Sequence, residues 1–162
     1  MGQKNRGDRW GSIRKVAQDP EAFSRCRNRL ERTIAAACEP GQSWQQRVAE
    51  AIRAALRFAE AEPVAARILT VHSACRRYGD QASFADLVDD LAARLAADAP
   101  PVPYPERTAR NMVLRIMRQT LLQLELHGEG PTAIAADLVV FALTPYVGLR
   151  EAQRRAATGA GT

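Results

Sequence analysis

The sequence predicts an all-α protein of about six helices. Three observations carry this. First, alanine and arginine dominate, with 30 Ala and 21 Arg against 2 Lys in 162 residues, and both stand near the top of the helix-propensity scale. Second, apolar residues recur at steps of three and four, which places them on shared helix faces. Third, the 10 Gly and 9 Pro fall mostly in clusters that punctuate the chain.

Residues 1–18 read as a basic, flexible arm, because Gly2, Gly7 and Gly11 disfavour a helix. Asp19-Pro20-Glu21 starts the first helix. Asp caps, Pro suits the first helical position, and Glu suits the positive end of the helix dipole. Phe23, Cys26, Leu30, Ile34 and Ala37 share its apolar face, Arg25, Arg29 and Arg32 lie off it, and Glu39-Pro40-Gly41 ends it. The second helix opens with Ser43-Trp44-Gln45-Gln46, a capping box. Its stripe is Trp44, Val48, Ala51, Ile52, Ala55, Leu56 and Ala59, and Pro63 stops it near Glu62. The third carries Val64, Ile68, Leu69, Val71, His72 and Cys75 up to a cap at Gly79. The fourth starts at Ser83 with the stripe Phe84, Leu87, Val88, Leu91 and Leu95. A stiff, proline-rich linker over residues 99–105 follows. It is no domain boundary, because the pieces on either side are too small to bury separate cores.

The fifth helix spans about Glu106–His127 and has a broad apolar surface; the sixth runs from about Thr132 to Val147. Between Ala133 and Leu149 the clearly polar side chains are Asp137, Thr144 and the Tyr146 hydroxyl. A helix apolar nearly all round must be buried nearly all round. The expectation is that a second copy covers these two helices in a symmetric four-helix bundle, a homodimer. Leu121, Leu124, Leu138, Val139, Phe141, Ala142 and Tyr146 are its expected contact residues. The helical domain is expected over 19–150, with a flexible C-terminal tail over 151–162.

Composition excludes several classes. An apolar fraction of 46 % with 25 % charged residues excludes disorder throughout. No apolar run reaches ~18 residues, so no membrane span is expected, and the N-terminal stretch does not read as a secretory signal. An odd set of cysteines, Cys26, Cys38 and Cys75, forms no disulfide framework and fits a reducing, cytoplasmic address. The net charge of +5 resides in residues 1–32, which hold nine Lys and Arg against four Asp and Glu. With Trp10 as its lone aromatic, this arm reads as a solvated tail rather than a nucleic-acid grip.

No catalytic constellation emerges, so the chain is not expected to be an enzyme and no cofactor is implied. There is no glycine-rich phosphate loop, no H-E-x-x-H and no nucleophile elbow. His72 and Cys75 are spaced to touch one metal ion, but no further ligand stands at a comparable spacing, so no metal site is expected. Asp86, Asp89 and Asp90 read as a solvated flank, and His127 as a helix-end residue favoured by the dipole.

Trp44-Gln45-Gln46-Arg47-Val48, followed by Leu56-Arg57-Phe58-Ala59-Glu60-Ala61-Glu62-Pro63-Val64-Ala65-Ala66-Arg67, resembles the C-terminal ligand-binding and dimerisation domain of TetR-family transcriptional regulators. Asp137-Leu138-Val139-Val140-Phe141-Ala142-Leu143-Thr144-Pro145-Tyr146-Val147-Gly148 is similar to the family's closing "L…L.PY.G" pattern. The resemblance covers about residues 20–150. It implies a bundle whose last two helices pair with a second subunit. It also implies an effector cavity for a small apolar or amphipathic molecule among the second to fifth helices. The expected lining is Phe58, Ile68, His72, Cys75, Leu87, Leu91, Met112, Ile116 and Met117, with His72 the polar candidate and the two methionines an adaptable wall.

The family's DNA-reading helix-turn-helix takes roughly 45 residues. Only eighteen Gly-rich residues precede Asp19, so direct operator binding does not carry over. The expectation is an effector domain without its own DNA reader. The alternative is a ligand-free interaction protein that pairs with a full-length regulator.

Overall fold

The computed structural model describes residues 19–74, 81–126 and 130–158. The fold is all-helical, with seven α-helices and no strand among the described residues. In chain order these are α1 (Pro20–Ala37), α2 (Trp44–Ala61), α3 (Pro63–Ala74), α4 (Gln81–Ala96), α5 (Pro105–Leu126), α6 (Ala135–Val147) and α7 (Leu149–Ala157). A short 3₁₀ turn, Pro131–Ile134, leads into α6.

The expected starts of α1 and α2 form by the expected chemistry, whereas α4 begins at Gln81, two residues before the expected Ser83, and the cap expected at Gly79 lies outside the described residues. The Asp19 carboxylate accepts from the Glu21 backbone N–H at 3.0 Å. At α2 both arms of the capping box close. Ser43 Oγ accepts from the Gln46 N–H at 3.3 Å, and the Ser43 N–H donates to Gln46 Oε1 at 2.9 Å. The turn before it is made at Gly41, whose φ of +88° favours glycine.

Glu62 alone separates α2 from α3. Its N–H donates to the Phe58 carbonyl at 2.8 Å, and its own carbonyl accepts from the Ala66 N–H at 3.0 Å. Pro63 needs no partner for a missing N–H at the first position of α3. The Glu62 carboxylate also holds Arg29 of α1 at 2.7 Å, which ties the corner down.

Two apolar clusters form the interior. The first joins α1, α3, α4 and α5 through Phe23, Leu30, Leu69, Leu87, Val88 and Val113. The second joins α2 to α6 and α7 through Trp44, Ile52, Leu56, Val139, Leu143 and Ala152. Helix α2 lies between them, for its Phe58 belongs to the first cluster.

The closing segments differ from the expectation in one respect. The chain does not become a loose tail at residue 151, because α7 runs from Leu149 to Ala157. Gly148, at φ +80°, turns the chain between α6 and α7, and α7 packs on α6 and α2. Its buried residues are Ala152 and Ala156, one turn apart. Alanine at these positions lets the backbones approach closely without any large apolar side chain, so the segment carries no apolar stripe in the sequence. Part of the cover expected of a second copy is thus supplied by the chain itself. Val139 and Ala142 are fully buried, and Leu121 and Leu138 nearly so. Leu124, Phe141 and Tyr146 are half-buried.

If α7 is a packed element, Ala152→Asp destabilises the fold by about 2–3 kcal/mol, the cost of forcing a carboxylate into a filled apolar site. Gln153→Asp, on the exposed side, stays within about 0.5 kcal/mol of the parent. Urea denaturation followed by circular dichroism measures both.

Candidate functional site

A cavity of about 310 Å³ lies where the two apolar clusters meet. Leu30 and Ile34 of α1, Leu69 of α3, Leu91 of α4, and Val113, Ile116 and Met117 of α5 form most of its wall. Helix α2 contributes Trp44, Val48, Ala51, Ile52, Ala55, Phe58 and Ala59.

The space has a local cause. Ala51, Ala55 and Ala59 repeat every fourth residue and so make one row along α2, facing the cavity. Ala35 of α1 and Ala66 of α3 add two more small walls. Larger side chains in that row would close the gap between the clusters. An apolar void of this size forgoes dispersion contacts on its walls. The hollow is partly open to solvent at residues such as Ala35 and Arg94, and apolar matter placed in it leaves water and gains contacts with the wall. The volume falls at the lower end of the range typical of small-molecule sites.

Polar groups on the wall are few, and most are held by their own backbone. Thr70 Oγ1 donates to the Ala66 carbonyl at 2.7 Å, and Thr120 Oγ1 donates to the Ile116 carbonyl at 2.9 Å. The Trp44 indole N–H donates to the Leu95 carbonyl at 2.8 Å, fixing the ring at the end of α4. Arg47, Arg94 and Cys38 also border the cavity. Arg47 pairs with Asp98 at 2.9 Å and Arg94 with Glu31 at 3.6 Å. The Cys38 thiol donates to the Arg47 carbonyl at 3.7 Å. Burial pushes that thiol above its ordinary range, with Arg47 opposing and Glu50 adding to the rise.

The structure brings together part of the expected lining. Phe58, Leu91, Ile116 and Met117 face the cavity. Ile68, Leu87 and Met112 are buried but stand outside its wall, as core packing. Cys75 lies outside the described residues; His72 falls within α3, and its side chain also lies outside them. Sequence reasoning missed Trp44, Cys38, Arg47, Arg94, Thr70 and Thr120 as lining. The available clue was the alanine row on α2, which reads first as helix propensity.

Of the expected pairing residues, Phe141 has the Arg115 guanidinium 4.9 Å from its ring centroid. The Tyr146 ring packs 4.7 Å from Trp44. Burial pushes the Tyr146 phenol up, and its hydroxyl has no hydrogen-bond partner among the described residues. Asp86, Asp89 and Asp90 are exposed. Asp89 pairs with Arg110 and Asp90 with Arg27. Among the described residues no group of three or more His, Cys, Asp or Glu side chains is placed to hold a metal ion. Nor is any helix there long and apolar enough to cross a membrane.

Comparison with protein-family models, curated proteins and solved structures returns no match.

The raised thiol makes a pH-dependent prediction. A cysteine whose protonated form is favoured yields thiolate at higher pH than a free one. Alkylation of Cys38 by iodoacetamide is therefore slow at neutral pH, and its rate climbs at higher pH than in an unfolded peptide of the same sequence. Peptide-resolved mass spectrometry of the alkylated cysteines checks this.

Proposed function

We propose that this chain is a small-molecule-binding module of the TetR-regulator kind. It takes an apolar or amphipathic ligand into the cavity and pairs with a second copy of itself. The cavity carries the reading. A pure pairing module gains nothing from a void at the junction of its two clusters, whereas a receptor needs one.

The resembling segments support the same reading by where they fall. Trp44 and Phe58 stand on the cavity wall, Glu62-Pro63 makes the corner between α2 and α3, and Pro145-Tyr146-Val147-Gly148 closes α6. In a regulator with DNA readers, a ligand that prefers one arrangement of these helices would shift the population between reader spacings. Operator binding by this chain alone is no part of the proposal. The pairing half of the reading draws on the half-buried Leu124, Val140 and Phe141 of α5 and α6, which keep apolar area available to a partner.

The neutral fluorophore N-phenyl-1-naphthylamine tests the receptor half. Its emission rises on entering an apolar cavity, and the expected result is a saturable rise with the parent protein. Ala55→Leu places extra carbons in the cavity and should cut the affinity at least about tenfold. It should leave the fold as stable as before, or more stable by about 1 kcal/mol, as cavity-filling changes commonly do. No saturable rise with the parent, or an equal rise with the variant, overturns the receptor reading.

Sedimentation at micromolar concentration tests the pairing half. A two-chain particle is expected, and Phe141→Glu should shift it to single chains with helicity intact. A parent protein that sediments as a single chain overturns it.

A further inference from the structure

The geometry points to a ligand with an apolar body and an anionic head, a carboxylate of the fatty-acid or arylalkanoate type, whose head is held by Arg47 and Arg94 at one end of the cavity. The inference rests on the receptor reading above and adds the chemistry of the ligand. Among the described residues, the charged residues lining the cavity are these two arginines; their acidic partners, Asp98 and Glu31, stand behind the lining.

The two arginines occupy the same end. Arg47 lies in the first turn of α2 and Arg94 in the last turn of α4. The Trp44 indole joins those two helix ends through its bond to the Leu95 carbonyl. The Arg47 partner, Asp98, sits just beyond the end of α4. The remaining wall is aliphatic and aromatic, apart from the two threonines, Cys38 and the Trp44 N–H. A molecule lying along it would meet apolar matter first and guanidinium groups at this end.

Both arginines are held loosely enough to turn to a ligand. The Asp98 side chain is 79% exposed, so its pair with Arg47 is a surface pair worth little. Glu31 already has a closer partner, Arg27 at 2.9 Å, and Arg94 approaches it at 3.6 Å. An arriving carboxylate competes with the exposed Asp98 for Arg47 and with the long contact to Glu31, already held by Arg27, for Arg94, and gains charge-assisted, fork-shaped hydrogen bonds at the edge of an apolar cavity. A neutral head gains less there. A cationic head is repelled by both guanidinium groups.

Three probes that share one tail separate the possibilities: decanoate, decanol and decyltrimethylammonium. Each is titrated below its micelle concentration by displacement of N-phenyl-1-naphthylamine or by calorimetry. Decanoate should bind at least about tenfold tighter than decanol, and decyltrimethylammonium weakest of the three. The double variant Arg47→Gln with Arg94→Gln should bring decanoate to the level of decanol and leave decanol unchanged. Asp98→Asn, which removes a competing carboxylate, should strengthen decanoate.

Equal affinities for decanoate and decanol, or a preference for the cation, would overturn the anionic-head assignment while the receptor reading stands. A decanoate preference that survives in the double variant overturns the assignment to these arginines. Failure of all three ligands to bind takes down the receptor reading and this inference together.

Discussion

The structure depends on one constraint: α2 must satisfy two apolar clusters at once. Most small helical domains gather a single core and give each helix one wet side. Here α2 presents Phe58 to the cluster built by α1, α3, α4 and α5, and Leu56, Ile52 and Val48 to the one built with α6 and α7. A helix used on two sides cannot carry large residues all round without pushing its neighbours apart. The row of Ala51, Ala55 and Ala59 resolves this, and the cavity is its by-product. The ends of α2 are fixed by local bonds, the capping box at Ser43 and the Glu62 corner. The space beside it is therefore held open by a well-anchored helix rather than by a loose one.

The second consequence concerns α6. Its sequence is apolar nearly all round, and such a helix demands cover. Cover comes from α2 on one side and from α7 beside it, with Ala152 and Ala156 allowing close approach. Pro145 falls in the last turn of α6; it offers no N–H to the Phe141 carbonyl and so forgoes one backbone bond close to the helix end. The Gly148 turn then reverses the chain soon enough for α7 to reach back. What is left half-buried on α5 and α6 is a smaller apolar area than the sequence alone implies. Any pairing of two copies must be built from that remainder and from residues such as Phe141, which already has Arg115 against its ring.

Much of the fold was legible in the sequence, and the reason is local physics. Asp19-Pro20, Ser43 with Gln46, and Glu62-Pro63 each act within a few residues, and each forms the cap or corner it predicts. The apolar stripes of α1, α2 and α4 turn inward as their spacing selects, with Phe23, Leu30, Ile52, Leu56, Leu87 and Val88 buried and Ile34, Ala55, Phe84, Leu91 and Leu95 half-buried. Helix α7 was illegible because its buried residues are alanines, which spacing cannot distinguish from surface alanines. The cavity wall was partly illegible for a related reason. Ile68, Leu87 and Met112 have the same chemistry as Leu91, Ile116 and Met117, and only the crossing of helices decides which of them meets a void. The Trp44 to Leu95 bond spans 51 positions, and no local pattern encodes it.

The same crossing gives the cavity mechanical consequence. Its walls belong to five helices, and α2 supplies residues to both clusters, so matter placed between them acts on both. A ligand that fills the alanine row adds dispersion contacts to α1, α3, α4 and α5 from one side and to α2 from the other. It thereby favours whichever spacing of α2 against α5 suits its thickness, and disfavours the collapsed spacing that would close an empty void. Helices α5 and α6, which carry the half-buried Leu124, Val140 and Phe141, meet the cavity through its wall and through α2 respectively. Under the proposed receptor role, occupancy at the centre would reach the outer face through these packed helices.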